Sequence, residues 1–139
     1  MTSKDLLKYR LQPIGRARIV GSKLEVRITD HRIESQEKCV YAFCAGAKVL
    51  RIGSSKAPLG SRLRRFGRDV TRALRHQKSP TPRWEAIGWK ENLAERAGRV
   101  YARPGTQVRT PIGRFRAYLD EESILIGRFQ PILNRNKHR

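Results

Sequence analysis

Residues 39–53 read CVYAFCAGAKVLRIG, and this stretch predicts a β-hairpin. Its first half, Cys39 to Cys44, is rich in residues that favour strands. Ala45-Gly46-Ala47 supplies a short turn that contains glycine, and Lys48 to Ile52 returns as the second strand. Cys39 and Cys44 lie five residues apart, so they face opposite sides of the strand, roughly 16 Å apart and beyond disulfide reach. We therefore expect two structural thiols in a reducing compartment.

The segments on either side of the hairpin have clear periodicities. Lys23 to Thr29 alternates apolar and polar residues, which predicts a half-buried strand. Gly53 to Pro58 is a loop of small residues, with Pro58 well placed in a first helical turn. The helix that follows has one apolar face and many arginines on the rest of its surface. That face consists of Leu63, Phe66, Val70 and Leu74.

The second half of the chain is less regular. Trp84 to Trp89 alternates in a way that predicts a third core strand, with both tryptophans in the core rather than stacking on bases. Glu91 to Ala97 is expected to be helical and to be capped by Gly98. Val100 to Thr110 is expected to be irregular.

These elements predict an α+β fold in which helices flank a small, mainly antiparallel three-stranded sheet. At 139 residues, the chain is long enough for one hydrophobic core. We expect one compact unit made of an N-terminal extension with an extra strand, residues 1–38, and a main domain, residues 39–139.

The charge of the chain indicates a polyanionic partner. Its 31 Lys and Arg residues outnumber 12 Asp and Glu residues, which gives a formal net charge of +19. This excess is typical of proteins that bind nucleic acid, and arginine is well suited to paired phosphate contacts. No stretch has the apolar length of a membrane span, and the N-terminus has no apolar signal core. We therefore expect a cytoplasmic protein that does not associate with membranes.

Glu122 interrupts an apolar stripe near the end of the chain. The stripe predicts a helix that begins within residues 112–115 and stops before Pro131. At helical spacing its members are Tyr118, Leu119, Leu125, Ile126 and Phe129. The neighbouring Asp120 and Glu121 are expected to be solvated. A carboxylate on an apolar face needs a partner, a shifted pKa or a bound cation, because burying it unpaired costs several kcal/mol or more.

Four blocks in this order resemble the GIY-YIG nuclease superfamily over residues 39–134. The first signature tripeptide matches as Cys39-Val40-Tyr41, and the second as Arg51-Ile52-Gly53. A small-residue loop and Arg62-Leu63 follow, as in the first helix of that family. The last block is Glu122, Leu125-Ile126, Pro131 and Asn134. Each block alone is weak evidence for the family, because such short motifs occur by chance, whereas four blocks in the same order are specific.

The chain departs from the family pattern at four points. Cys39 replaces the first signature glycine, and Arg51 replaces the second signature tyrosine, which removes a phenol from the chemistry. Arg62 lies one residue further from the second signature than is usual, so Arg64 or Arg65 remains an alternative for the functional arginine. Phe66 occupies a position that is often a polar aromatic or a histidine in the family.

The resemblance implies an endonuclease that hydrolyses phosphodiester bonds of DNA with one Mg²⁺ or Mn²⁺ ion per site. Glu122 would hold the metal, Tyr41 would be the general base, and Arg62 would bind the phosphate. The phenolate of Tyr41 would need nearby positive charge, which Arg62, Arg51 or Lys48 would supply. Supporting or phosphate-binding roles would fall to Lys48, Arg51, Arg64, Arg65 and Asn134, of which Asn134 is expected to orient backbone. One site per chain also suggests a homodimer or sequential nicking.

Each of these residues has a structural alternative. An inward glutamate is commonly paired, a strand tyrosine commonly packs in a core, and an arginine at the edge of an apolar face commonly extends to solvent. The net charge fits a non-catalytic DNA- or RNA-binding protein equally well. That protein is the alternative to the nuclease.

Overall fold

The computed structural model describes residues 1–134 and shows the predicted α+β fold. Its main sheet has five antiparallel strands rather than three, in the order β2-β1-β5-β3-β4. The strands are β1 (Gln12–Val20), β2 (Lys23–Ile28), β3 (Cys39–Ala45), β4 (Lys48–Ser55) and β5 (Gly98–Pro104). The helices are α1 (Leu59–Leu74), α2 (Arg83–Asn92) and α3 (Tyr118–Phe129), with 3-10 helices at Ser3–Tyr9 and His31–Ile33. The last five residues of the predicted domain 39–139 lie outside the described residues.

The sheet separates two hydrophobic cores. Helices α1 and α2 pack on one face, where Phe43 contacts the rings of Phe66 and Trp89. Helix α3 and the N-terminal 3-10 helix pack on the other face, around Val40 and Ile52. The described part of the chain contains no helix that is both long enough and apolar enough to span a membrane.

The predicted hairpin is confirmed as β3 and β4, which pair from Cys39↔Ser55 to Ala45↔Lys48. Cys39 packs in the core beneath α1, and Cys44 packs in the core beneath α3. Because these cores lie on opposite faces of the sheet, the prediction that the two cysteines face opposite sides of the strand is confirmed. Both cysteines are free and buried. The helix predicted from its apolar face is confirmed as α1.

The predicted strand from Trp84 to Trp89 is wrong, because these residues form most of α2. Glu85, Ala86 and Trp89 are buried, which is a helical spacing, whereas Trp84 is 48% exposed. The periodicity was hidden because the buried face carries a charged residue, Glu85. The helix also ends at Asn92, so the helix expected over Glu91 to Ala97 is wrong for most of its length.

The prediction of irregular structure over Val100 to Thr110 is also wrong. Residues 98–104 form β5, a central strand between β1 and β3. Val100, Tyr101 and Ala102 are consecutive and all buried, because both faces of this strand are covered. Gly98 begins this strand instead of capping a helix. A Cβ at that position would lie 2.6 Å from the carbonyl oxygen of Cys44, so the neighbouring strands require a glycine here.

The N-terminal extension contributes two strands to the sheet, not one. Pro13 lies inside β1 and pairs with Tyr101 on one side, whereas pairing with β2 starts only at Gly15↔Ile28. Proline is tolerated there because β1 has no strand partner on its other side at that point. Ile14 and Leu24 from this region belong to the same core as α1.

Helix α3 begins at Tyr118, later than the predicted 112–115, and ends before Pro131 as predicted. The missed segment is a two-stranded ribbon formed by β6 (Gln107–Thr110) and β7 (Gly113–Arg116). Leu119, expected on the apolar face, is 57% exposed, whereas Tyr118 and Phe129 are buried.

Candidate functional site

Tyr41 and Gly53 form a cross-strand pair between β3 and β4. The Tyr41 ring lies so close to Gly53 that a Cβ there would stand 2.5 Å from the phenol oxygen. The glycine of the second signature therefore makes room for the tyrosine of the first. Because β4 is an edge strand, the hydroxyl of Tyr41 is directed across Gly53 towards the sheet edge. Sequence analysis placed Gly53 in a loop, but β4 continues to Ser55.

Glu122 reaches the next residue of the same strand. The Ser54 hydroxyl donates a hydrogen bond of 2.9 Å to Oε1 of Glu122, and the carboxylate is half-buried. Gly53 and Ser54 are consecutive in β4, so they present opposite faces of the sheet. Tyr41 approaches β4 from the face that α1 covers, and Glu122 from the face that α3 covers. The two residues thus approach one short segment of edge strand β4 from opposite faces of the sheet.

Arg62 lies in the first turns of α1, directly after this edge, and is half-buried. Burial raises the pKa of Tyr41, and the Arg62 charge is the largest influence that lowers it. The charge of Arg51 also lowers the pKa of Tyr41, whereas that of Glu122 raises it. Since burial prevails, the resting side chain is a neutral phenol. Arg62 and Glu122 thus act on the pKa of Tyr41 in opposite directions.

Arg51 is held by a buried carboxylate on the helix-α1 side of the sheet. Its Nη1 donates to Glu85 Oε1 at 2.9 Å and to the carbonyl oxygen of Leu133 at 3.1 Å. Its guanidinium lies 5.1 Å from the Phe66 ring centroid. Trp89 donates its indole N–H to the other oxygen of Glu85. Arg51 therefore contributes positive charge near Tyr41 from a fixed, ion-paired position.

Asn134 binds the backbone of β4, as expected. Its amide accepts from the N–H of Ile52 and donates to the carbonyl of Ile52, both at 2.8 Å. The N–H of Leu133 also donates to the carbonyl of Leu50. The segment after α3 thus completes the outer edge of β4 up to the residue before Gly53.

The other predicted supporting residues lie further from this convergence. Lys48 begins β4, six residues before Ser54 and therefore roughly 20 Å away, and it contacts Asn92. Arg64 is exposed and pairs with Glu34 at 3.5 Å, and Arg65 is exposed. Of the three candidate arginines, only Arg62 is half-buried, and its charge lowers the pKa of Tyr41.

Glu121 is not the solvated charge that the sequence predicted. Sequence analysis treated it as a solvated charge, but it is half-buried and pairs with Arg103 at 2.6 Å. Burial raises its pKa, but the hydrogen bonds from Arg103 and Thr106 outweigh burial and leave the pKa lowered. Glu121 therefore anchors α3, so that the adjacent Glu122 is presented to β4. Asp120 is exposed, as expected.

Glu122 suits a magnesium ion whose other ligands are waters and phosphate oxygens of the substrate. Within residues 1–134, no group of three or more His, Cys, Asp or Glu side chains is placed to hold a metal. Mg²⁺ is commonly bound by one or two carboxylates, with waters and substrate phosphates as its other ligands. Ser54 fixes the orientation of the carboxylate, as outer ligands do in metal sites. Sequence analysis missed Ser54 and Glu85, because a small hydroxyl residue and an acidic residue carry no distinctive pattern.

The fold is similar to that of two solved structures. One is a mutant of bacteriophage T4 EndoII, with a TM-score of 0.66 and 15% identity over 95% of this chain and 97% of that chain. The other is restriction endonuclease HPY188I in complex with product DNA, with a TM-score of 0.59 and 19% identity over 93% of this chain and 79% of that chain. No family model and no curated protein match the sequence. At these identities the comparisons establish the fold, and their coverage extends into residues 1–38.

Proposed function

We propose that this protein is a divalent-metal-dependent DNA endonuclease of the GIY-YIG type. The observation that carries the proposal is the approach of Tyr41 and Glu122 to the consecutive residues Gly53 and Ser54 of edge strand β4, with Arg62 in the first turns of the helix that follows. The fold resembles that of a restriction endonuclease that was solved with product DNA. The net charge of +19 suits a DNA substrate.

In this proposal the three residues divide the chemistry of phosphodiester hydrolysis. Arg62 binds the scissile phosphate through paired N–H groups and compensates the charge that develops on it. Tyr41, after its phenol has lost its own proton to solvent, accepts a proton from the attacking water as the phenolate. A Mg²⁺ ion at Glu122 would polarise the phosphate, assist the departing oxygen and offset the carboxylate charge that raises the pKa of Tyr41. One carboxylate fits a one-metal mechanism.

A non-catalytic nucleic-acid-binding protein is the second candidate, and two observations favour it. Tyr41 is fully buried with a raised pKa, which opposes the phenolate that a general base requires. Arg51 stands where the family has a second tyrosine, and it is engaged with Glu85. Under this alternative the three residues would contribute to structure and DNA binding alone.

Cleavage of supercoiled plasmid separates the two candidates. We expect nicking or linearisation with Mg²⁺ or Mn²⁺, none with EDTA, and a rate about 100- to 1000-fold lower for Glu122→Gln. Tyr41→Phe should lower the rate by a similar factor. No cleavage by the wild type on several DNA substrates would leave the second candidate.

Matched controls exclude contamination and misfolding. Asp120→Asn removes the exposed carboxylate two residues away on the same helix, and Tyr101→Phe removes another buried phenol. Both should cleave at wild-type rates. If Glu122→Gln cleaves as fast as Asp120→Asn, the site is misassigned. Melting temperatures close to that of the wild type show that each variant is folded.

A further inference from the structure

A large basic groove lies on the side of the molecule away from β4. It has a volume of about 970 Å³, and among residues 1–134 its lining contains eight Lys or Arg residues but only one acidic residue, Glu25. Glu25 is already paired with Arg18 at 3.1 Å and with Lys23 at 3.9 Å. The walls therefore carry a large excess of positive charge, far beyond the needs of solubility.

One wall of the groove contains like charges that face each other. Arg27 of β2 pairs directly with Arg16 of β1, and both line the groove. Arg16 also pairs with Arg99 of β5, which lies beside the groove lining and extends the row. Paired residues share a face of the sheet and lie about 5 Å apart, so the three exposed guanidinium groups form a row. Like charges in directly opposed positions destabilise a sheet. An anion that bound across the row would offset this repulsion.

The other wall is one flank of α1. Arg64, Arg68, Arg72 and Arg75 follow each other at helical spacing over roughly 16 Å. Helix α1 also carries Arg62 in its first turns, so the same helix extends from the candidate site to the groove. Helix α1 thereby connects the two surfaces.

We infer that the groove binds the sugar-phosphate backbone of duplex DNA that flanks the scissile bond. Its basic residues lie on both sides of the β2 edge, on the sheet and on α1, and within residues 1–134 no aromatic side chain lines it, unlike surfaces that stack single-stranded bases. That the duplex is DNA and not RNA rests on the proposed function. Strands β2 and β4 are opposite sheet edges, four strand spacings or roughly 19 Å apart. The contacts should therefore fall about five or six base pairs from the cut.

The test is DNA binding in EDTA, where no cleavage interferes. The groove variant is Arg16→Gln/Arg27→Gln/Arg72→Gln, and its control, Lys4→Gln/Lys78→Gln/Lys90→Gln, removes three exposed charges that do not line the groove. On a 24-base-pair duplex we expect the groove variant to bind about tenfold more weakly or worse. Its plot of log affinity against log salt should be shallower by about 2 to 3. Its melting temperature should equal or exceed that of the wild type, because the Arg16–Arg27 repulsion is removed.

Substrate length and type decide the remaining points. An 8-base-pair duplex is too short to occupy the candidate site and the whole groove together, so the groove variant should lose less affinity for it than for the 24-base-pair duplex. Equal binding of groove variant and control to the long duplex would overturn the inference. So would an equal loss on single-stranded DNA, or tighter wild-type binding to the same duplex made of RNA. If the groove variant behaves as expected but the wild type never cuts plasmid, the inference that the groove binds DNA is supported and the nuclease proposal fails.

Discussion

Arg51 forms a buried ion pair with Glu85, which links the second signature in β4 to helix α2. The Nη1–Oε1 distance is 2.9 Å, and the side chains are 21% and 4% exposed. Arg51 stands where the GIY-YIG pattern that the sequence resembles has a tyrosine, and Glu85 supplies a counter-charge from α2. The replacement of a phenol by a guanidinium is thus accompanied by a carboxylate, and the two are best understood as one unit.

Removing either member of this pair should destabilise the fold more than it weakens DNA binding. For Arg51→Ala we expect a loss of about 3–5 kcal/mol in the free energy of unfolding, because the Glu85 carboxylate stays buried after its ion pair is broken. Urea denaturation of Arg51→Ala, Glu85→Gln and the double variant measures the coupling between them. Additive losses would contradict the pairing. Weaker DNA binding with unchanged stability would instead make Arg51 a phosphate ligand.

The contact between Tyr41 and Gly53 makes Gly53→Ala a sharp probe of the site. The added methyl group must displace the phenol, so we expect both lower activity and a stability loss of about 1–3 kcal/mol. Gly127→Ala is the matched control, because a Cβ there meets nothing within 4 Å and alanine suits a helix. In the Tyr41→Phe background, Gly53→Ala should lower the cleavage rate little further. A full additional loss of rate would show that Gly53 acts independently of the Tyr41 hydroxyl.

The three candidate arginines of α1 should separate by kinetics. Arg62→Gln should lower kcat/KM by about 100-fold or more. Arg62 is half-buried, and its charge is the largest influence that lowers the pKa of Tyr41. Arg64→Gln and Arg65→Gln remove exposed charges, so they should raise KM several-fold and leave kcat near that of the wild type. Plasmid or oligonucleotide cleavage at several substrate concentrations gives both constants. If Arg64→Gln or Arg65→Gln lowers kcat more than Arg62→Gln does, that residue and not Arg62 is the functional arginine.

The sequence was most informative where one face of an element is apolar and the other polar. The hairpin and α1 were predictable on that basis, and the residues that converge at β4 were found through the order of short motifs. β5 was missed because a central strand covered on both faces does not alternate. α2 was missed because its buried face contains Glu85, whose partner lies 34 residues away in the sequence. Long-range pairing of this kind has no local pattern.

The same limit applies to the site. Glu122 was conspicuous because a charge interrupts an apolar stripe, but its contact with Ser54 spans 68 residues and depends on how α3 docks. Glu121 looked like an ordinary surface charge until Arg103 was brought to it by β5. The sequence therefore indicated the candidate site residues, whereas the structure was needed to find the residues that position them.

The two buried thiols should make the protein less stable in alkali. Burial raises the pKa of Cys39 from 9.0 to about 11 and that of Cys44 from 9.0 to about 12. Above pH 9 the unfolded chain loses these protons while the folded chain keeps them, so the free energy of unfolding falls as pH rises towards 11–12. Urea denaturation from pH 8 to 11 measures this slope, which should be smaller for Cys44→Ala. An unchanged slope would show that Cys44 does not contribute.

The raised pKa of Tyr41 also predicts how cleavage depends on pH. A neutral buried phenol must lose its proton to act as a base, and below its pKa the phenolate fraction rises about tenfold per pH unit. We therefore expect kcat/KM to increase with a slope near one between pH 7 and 9, before the thiols and other groups affect stability. In Tyr41→Phe the residual rate should lose this slope, whereas Tyr101→Phe should retain it. A wild-type profile that is flat over this range would mean that Tyr41 positions the water or phosphate through its hydroxyl and that another group takes the proton.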